Sequence, residues 1–247
     1  MRLAISALSK PGGREPNEDA FGCWSSDSAT FCLLCDGAGG HGGGEVASKL
    51  AVRVALARFQ SVPVSSGAAI HGALRAAHEA ICVAQDGEGH IAQMRSTAVV
   101  LAIDTLHGSA MWGHIGDSRL YCFRRGAIIA RTIDHSVVQR MVDAGYLAPG
   151  DIRDSPERNQ LFAALGQEQN FAPAIIDVPL QLENGDAFLL CTDGFWGLVA
   201  DATMIDALRD APTTEAWLAL MEREVVARGG RDQDNYSALA IWCGQAS

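Results

Sequence analysis

The stretch Phe31-Cys32-Leu33-Leu34-Cys35-Asp36-Gly37-Ala38-Gly39-Gly40 joins five apolar residues to a carboxylate and then to glycines. So short an apolar run, stopped by glycine, reads as a buried strand whose end carries Asp36 into a cleft as the chain turns. The same pattern returns at Ala187 to Cys191, which runs into Thr192-Asp193-Gly194. Two further acidic turns, Asn17-Glu18-Asp19 and Asp232-Gln233-Asp234-Asn235, complete a set of four. An Asp-Gly pair taken alone marks a hairpin turn more readily than a site. Four such turns gathered at one cleft would repel one another strongly in a medium less polar than water. The pattern therefore implies cations among the carboxylates.

Outward from these turns, strand-like runs fall at about 3–8, 20–24, 31–35, 97–103, 109–115, 119–124, 127–132, 175–180, 186–192 and 236–242. Within 97–132 the connections are too short for crossover helices, so those strands should pair antiparallel. Helical periodicity marks Gly44 to Gln60, with Val46, Leu50, Val54 and Ala57 as its apolar face, and Gly67 to Ala84, with Ile70, Leu74, Ala77 and Ile81. Shorter helices are expected over Ser136 to Ala144, capped by Asp134 or Ser136, and over Glu215 to Arg228, capped by Thr213 or Thr214. This order predicts two packed antiparallel sheets with helices on the outer faces, an α+β class. With no repeat or linker in view, residues 1–247 read as one domain, and the irregular 148–167 reads as a flap bordering the site.

Composition narrows the function. Apolar residues make up 48% of 247 and charged residues 19%, enough for a large core. The formal charge of -10, with no Lys/Arg-rich run, argues against a nucleic-acid binder. The amino terminus reads as a first strand rather than a signal peptide, and no run of about 18 apolar residues offers a membrane span. Seven scattered cysteines suit free thiols in a reducing, cytoplasmic setting. Cys32 and Cys35 have C-x-x-C spacing, but residues three apart on a strand point to opposite faces and cannot share an ion.

Oxygen donors without His or Cys partners select Mg2+ or Mn2+. Two such ions about 3.5–4 Å apart can activate a shared water for in-line attack on phosphorus. Asp36 suits the shared position, with Gly37 letting the backbone carbonyl approach, while Asp193 and Asp234 suit single ions. Arg14 is the natural phosphate-binding guanidinium, and Arg119 is a second basic group beside an acidic turn. Trp196 reads as core packing, and His114 and His135 as structural hydrogen-bonding residues.

Taken in order, Arg14-Glu15-Pro16-Asn17-Glu18-Asp19-Ala20, the run from Asp36 to Ser48, Gly116-Asp117-Ser118-Arg119, Asp134-His135-Ser136, Thr192-Asp193-Gly194 and Asp234-Asn235 resemble the metal-dependent type 2C serine/threonine protein phosphatases. The likeness extends from about residue 5 to residue 243, and the segment Arg158 to Gly166 is similar to the bacterial branch. The resemblance implies a four-layer α/β/β/α sandwich with two antiparallel sheets flanked by pairs of helices. It implies a hydrolase of phosphoric monoesters that removes phosphate from phosphoserine and phosphothreonine in proteins through a metal-bridging hydroxide, opposing a Ser/Thr kinase in bacterial signalling. Two Mn2+ or Mg2+ ions are implied. Asp36, the Gly37 carbonyl, Asp193 and Asp234 are the core ligands, with Glu18 and Asp19 direct or water-mediated, and Asp117 at a weaker third ion. Arg14 takes the substrate phosphate. Many eukaryotic relatives carry His where this chain has Ala38, so a metal-bound water or His41 is left as general acid. Two rival readings are an enzyme restricted to a few phosphorylated regulators and a silent phosphoprotein- or kinase-binding module of the same fold; the intact carboxylate set weighs against the second.

Overall fold

The computed structural model describes residues 1–39, 43–85, 91–153, 155–167 and 171–244. In chain order the first strands are β1 (Leu3–Lys10), β2 (Asp19–Ser25), β3 (Ala29–Ala38), β4 (Arg95–Ser96), β5 (Ala98–Asp104) and β6 (Ser109–Ile115). They are followed by β7 (Arg119–Arg124), β8 (Ala127–Arg131), β9 (Ala174–Ile175), β10 (Leu180–Gln181), β11 (Ala187–Cys191) and β12 (Tyr236–Cys243). The helices are α1 (Gly43–Ser61), α2 (Gly67–Gln85), α3 (Val137–Asp143), α4 (Asp193–Trp196), α5 (Asp201–Asp210) and α6 (Thr214–Arg228).

One sheet has the order β1-β12-β11-β7-β8 and the other β10-β6-β5-β3-β2, with β4 added to β3 and β9 to β6. The strand pairings described are antiparallel throughout. Three apolar layers separate the elements. Cys32, Leu34, Val99, Leu101, Phe188, Leu190 and Leu239 fill the space between the sheets. Phe31, Leu33 and Cys35, the alternate residues of β3, face α1 and α2 instead. Trp217, Met221, Phe195 and Leu189 pack α6 and its neighbours on the other sheet. Period-two alternation thus divides β3 between two cores, and it sends Cys32 and Cys35 to opposite faces as expected. The result is the four-layer arrangement.

Close approach governs the first helix. A Cβ on Gly22 would meet Leu56 Cδ1 at 2.5 Å and Val52 Cγ1 at 2.9 Å, so glycine on β2 lets α1 lie directly on the strand. The buried face of α1 is Ala47, Ala51, Ala55 and Phe59, not the expected Val46 stripe; Val46 is 44% exposed and Ala57 is also exposed. Small residues face inward because the helix sits tightly against both β2 and α2, which the larger aliphatics would prop apart. The expected face of α2 is buried as read. Ser136 caps α3 by accepting from Gln139 N, and Thr213 caps α6 by accepting from Ala216 N.

Three local readings are corrected. Helix α5 was not foreseen: only Met204 and Ala207 of its ten residues are buried, too faint an apolar stripe to mark it. The expected strand at 175–180 is two short edge pieces, β9 and β10, with Pro179 between them offering no donor to a ladder. And β3 does not turn after Asp36. It continues through Gly37 and Ala38, paired with Ser96 and Arg95 of β4.

Candidate active site

A cavity of about 710 Å3 opens at one end of the sandwich, lined by Arg14, Glu18, Asp36, Asp117, Asp193 and Asp234 among others. Each acidic group arrives on a different element. Glu18 directly precedes β2, Asp36 lies near the end of β3, Asp117 sits between β6 and β7, Asp193 opens α4, and Asp234 precedes β12. Asp19 is the exception among the expected residues: it is absent from the cavity wall and lies behind it, 5% exposed, opposite Asp36 across the β2–β3 pair.

Backbone hydrogen bonds fix Asp36. Its amide donates to Thr97 Oγ1 at 3.0 Å, and its carbonyl accepts from the Thr97 amide at 2.8 Å and the Ser96 hydroxyl at 3.0 Å. Gly37 is required for packing rather than for a turn. A Cβ there would lie 2.0 Å from the Gly44 carbonyl and 2.8 Å from the Glu18 carbonyl. Gly44 in turn leaves room for the Glu18 carboxyl, which would stand 2.7 Å from a Cβ. The backbone amides of Glu45 and Gly44, at the start of α1, donate to that carboxyl and favour its charge, against a larger upward push from burial.

Electrostatics show how close the acids are. Burial first, then Asp19, Asp193, Asp117 and Asp234, push the Asp36 carboxyl well above its ordinary range. Burial and then Asp193 and Asp134 do the same to Asp117, and burial and Asp234 raise Asp193. Asp19 is raised to about 7, chiefly by burial, although the Thr192 hydroxyl hydrogen-bonded to it favours its charge. Its Oδ2 accepts from the Thr192 hydroxyl at 3.0 Å, while its Oδ1 is buried without a partner. Against this acidity, Arg14 Nη2 donates to Asp234 Oδ2 at a long 3.4 Å, with both side chains exposed.

An orphaned carboxylate oxygen and an all-oxygen donor set fit hard divalent cations, which would restore the charged forms. Among the described residues, no three acidic, His or Cys groups already stand in closed ligand geometry.

Asn235, which the sequence marks only as part of a motif, ties the site together. Its Oδ1 accepts from the Glu18 amide at 2.8 Å, and its Nδ2 donates to the carbonyls of Pro11 at 2.8 Å and Pro16 at 3.0 Å. Arg95 was also missed. It lines the cavity, exposed, directly across the β3–β4 pair from Ala38. No spacing rule links Arg95 to Ala38, which lie far apart in sequence.

Arg119 is not a cleft residue. It is buried, with Nε and Nη2 donating to the two carboxylate oxygens of Asp134 at 2.8 and 2.7 Å, and its guanidinium lies 3.4 Å from the Trp196 ring centre. Trp196 is buried and donates through Nε1 to the Asp117 carbonyl at 2.9 Å, so both residues support the Asp117 turn from beneath. His114 Nε2 donates to the Ile133 carbonyl at 2.7 Å, and His135 Nδ1 accepts from the Gly116 amide at 3.3 Å. His41 lies outside the described residues. The second limb of the flap is stitched to the body: Val137 N donates to Gln160 O at 2.8 Å, Phe162 N to His135 O at 3.0 Å, and Leu165 N to Ser96 O at 2.8 Å.

The model of the family described as Protein phosphatase 2C matches residues 11–233. The chain belongs to the protein phosphatase 2C family. It is 34% identical over 207 residues to the serine/threonine protein phosphatase PstP of Mycobacterium tuberculosis, a match covering 82% of this chain and 38% of that relative. The chain thus spans well under half the length of PstP. It is 26% identical over 234 residues to the serine/threonine phosphatase stp of Listeria monocytogenes, covering 92% and 90% of the two chains. A crystal structure of the PstP catalytic domain in complex with two manganese ions superposes with a TM-score of 0.80 at 30% identity, covering 98% of this chain and 99% of that one. The α/β/β/α sandwich is therefore the protein phosphatase 2C fold. Among the described residues no helix is long and apolar enough to cross a membrane.

Proposed function

We propose that this chain is a Mn2+- or Mg2+-dependent protein phosphatase that hydrolyses phosphoserine and phosphothreonine, working opposite a Ser/Thr kinase in the bacterial cytoplasm. The observation that carries the reading is the convergence of Glu18, Asp36, Asp117, Asp193 and Asp234, from five separate elements, on one cavity rimmed by Arg14. Membership of the protein phosphatase 2C family and the two manganese ions of the PstP structure support it. The free cysteines accord with a reducing compartment.

Asp36, the Gly37 carbonyl, Asp193 and Asp234 would hold two ions, assisted by Glu18 and, from behind, Asp19, with Asp117 beside a weaker third. Divalent cations there would supply positive charge and an acidified water for attack on the phosphorus. Arg14, held by a long and exposed ion pair, can turn its guanidinium to the phosphate oxygens. Thr97, Asn235 and the amides at the start of α1 hold the acids in place, so little rearrangement is needed as the reaction proceeds. Residues 1–247 act as one catalytic domain. The flap at 148–167, whose Asn159, Leu161, Ala164 and Gln167 line the cavity, selects the substrate.

The test is release of phosphate from a phosphothreonine peptide with Mn2+, with Mg2+ and with EDTA, in the native chain and in Asp36→Asn and Asp193→Asn. Turnover should need metal and fall at least about a hundredfold in both variants while they stay folded. Folded native protein that is inactive with either ion would overturn the reading in favour of a binding module.

A further inference from the structure

Strands β2 and β3 set Cys23 directly opposite Cys32. The two sulfurs are 3.0 Å apart, well inside ordinary contact between non-bonded sulfur atoms. Opposed residues of an antiparallel pair have Cα atoms about 4.5–5.5 Å apart. Disulfides span about 4.4–6.8 Å, so a bond here needs no backbone shift. The two thiols differ in access. Cys23 is exposed on the edge strand, whereas Cys32 is fully buried between the sheets. Their contact draws the Cys23 thiol below its ordinary pKa despite partial burial, and the same contact, with burial, pushes Cys32 well up. An accessible, more acidic thiol beside a buried partner is the arrangement of an attacking and a resolving cysteine. By contrast Cys35, Cys122, Cys191 and Cys243 are buried, and burial raises the pKa of each.

We propose that Cys23 and Cys32 form a reversible redox modification site, which a hydroperoxide converts into a cross-strand disulfide. The Cys23 thiolate attacks one peroxide oxygen and the O–O bond breaks. Sulfur is oxidised to the sulfenic acid, and the second oxygen leaves as hydroxide, which takes the proton lost from Cys23 and becomes water. Cys32 then gives up its proton as its sulfur attacks the Cys23 sulfur, and the sulfenic hydroxyl departs with that proton as a second water. Two thiols and one hydrogen peroxide thus yield one disulfide and two waters. A dithiol reverses the step by exchange.

Neither thiol belongs to the cavity wall. The bond would nevertheless fasten the edge strand β2 to β3, its paired neighbour among the described residues, four residues from the point where Asp19 faces Asp36. Oxidation therefore locks the strand pair that carries two of the clustered acids.

The full-length reduced chain is treated with one equivalent of hydrogen peroxide, quenched with a thiol-blocking reagent and weighed intact. The expected product is about 2 Da lighter before alkylation, carries two fewer blocking groups, maps to a peptide linking positions 23 and 32, and reverts with dithiothreitol. Cys23→Ser, a change at an exposed site that should not disturb folding, must abolish the link, as must Cys32→Ala. In the oxidised protein the β2 amides should exchange with deuterium at least about tenfold more slowly. Added oxygen on Cys23 without a link, a dimer joined through Cys23, or a link that survives in Cys23→Ser would each overturn the site. Unchanged β2 exchange would overturn the fastening.

Discussion

Asn235 accepts the backbone hydrogen of Glu18 at 2.8 Å, which couples the loop before β2 to the loop before β12 across 217 positions of sequence. The same amide holds the Pro11 and Pro16 carbonyls. One buried side chain thereby sets the spacing between Glu18 and its own neighbour Asp234. Asn235→Ala leaves three backbone groups without these partners. Urea unfolding should show a loss of about 1–3 kcal/mol, and metal-dependent phosphate release should fall well beyond the loss of folded protein. Unchanged turnover in the folded variant would mean that Asn235 does not position the acids.

The Arg119–Asp134 pair is buried to 3% and 2% side-chain exposure. Arg119 also donates to Tyr121 Oη at 3.1 Å. Removing one charge strands the other in a medium that solvates it poorly. Asp134→Leu is therefore expected to cost about 3–5 kcal/mol in urea unfolding. The double variant Arg119→Met with Asp134→Leu should recover much of that loss. Additive losses in the double variant would show that the two charges do not depend on each other.

His135 stacks on His114 with ring centres 4.6 Å apart. Burial first, then the His114 and Arg140 charges, lower His135 to about 4, and burial lowers His114 as well. A histidine whose folded pKa lies below its unfolded value of about 6.5 favours folding while neutral. Its contribution is thus complete above about pH 6.5 and is lost as pH falls toward 4. His135→Asn keeps an acceptor for the Gly116 amide and removes the titration. Its urea midpoint should decline less steeply than the native protein's between pH 6.5 and 4; matching slopes would refute the assignment.

Arg95 stands across the ladder from Ala38 on the cavity wall and takes part in no ion pair among the described residues. A free guanidinium beside a methyl group has room to meet negative charge on an incoming phosphopeptide. Arg95→Ala should raise KM for an acidic phosphopeptide about fivefold, near 1 kcal/mol, with kcat little changed. A fall in kcat with constant KM would place Arg95 at the chemical step instead.

Short-range pattern carried much of the architecture. Within 97–132 the turns joining β5 to β6 and β7 to β8 link antiparallel neighbours as expected, but the turn from β6 to β7 carries the chain from one sheet to the other and those two strands do not pair. The apolar runs at Phe31–Cys35 and Ala187–Cys191 are strands, and the periodicity of 67–84 marks the buried face of α2. These were legible because strand and helix periods act over a few residues and depend on burial alone. The face of α1 was not, since Val46, Leu50 and Val54 recur at the same four-residue step as Ala47, Ala51 and Ala55, and only close packing on the sheet and α2 selects the smaller set. Nor could chain order show that Asp19 sits behind Asp36, that Arg119 turns inward to Asp134, or that Arg95 reaches Ala38. Each of those facts is a matter of register and depth. Identity along the chain limits which groups are available, but only packing determines which of them lose water, and the loss of water sets the energy of a charge.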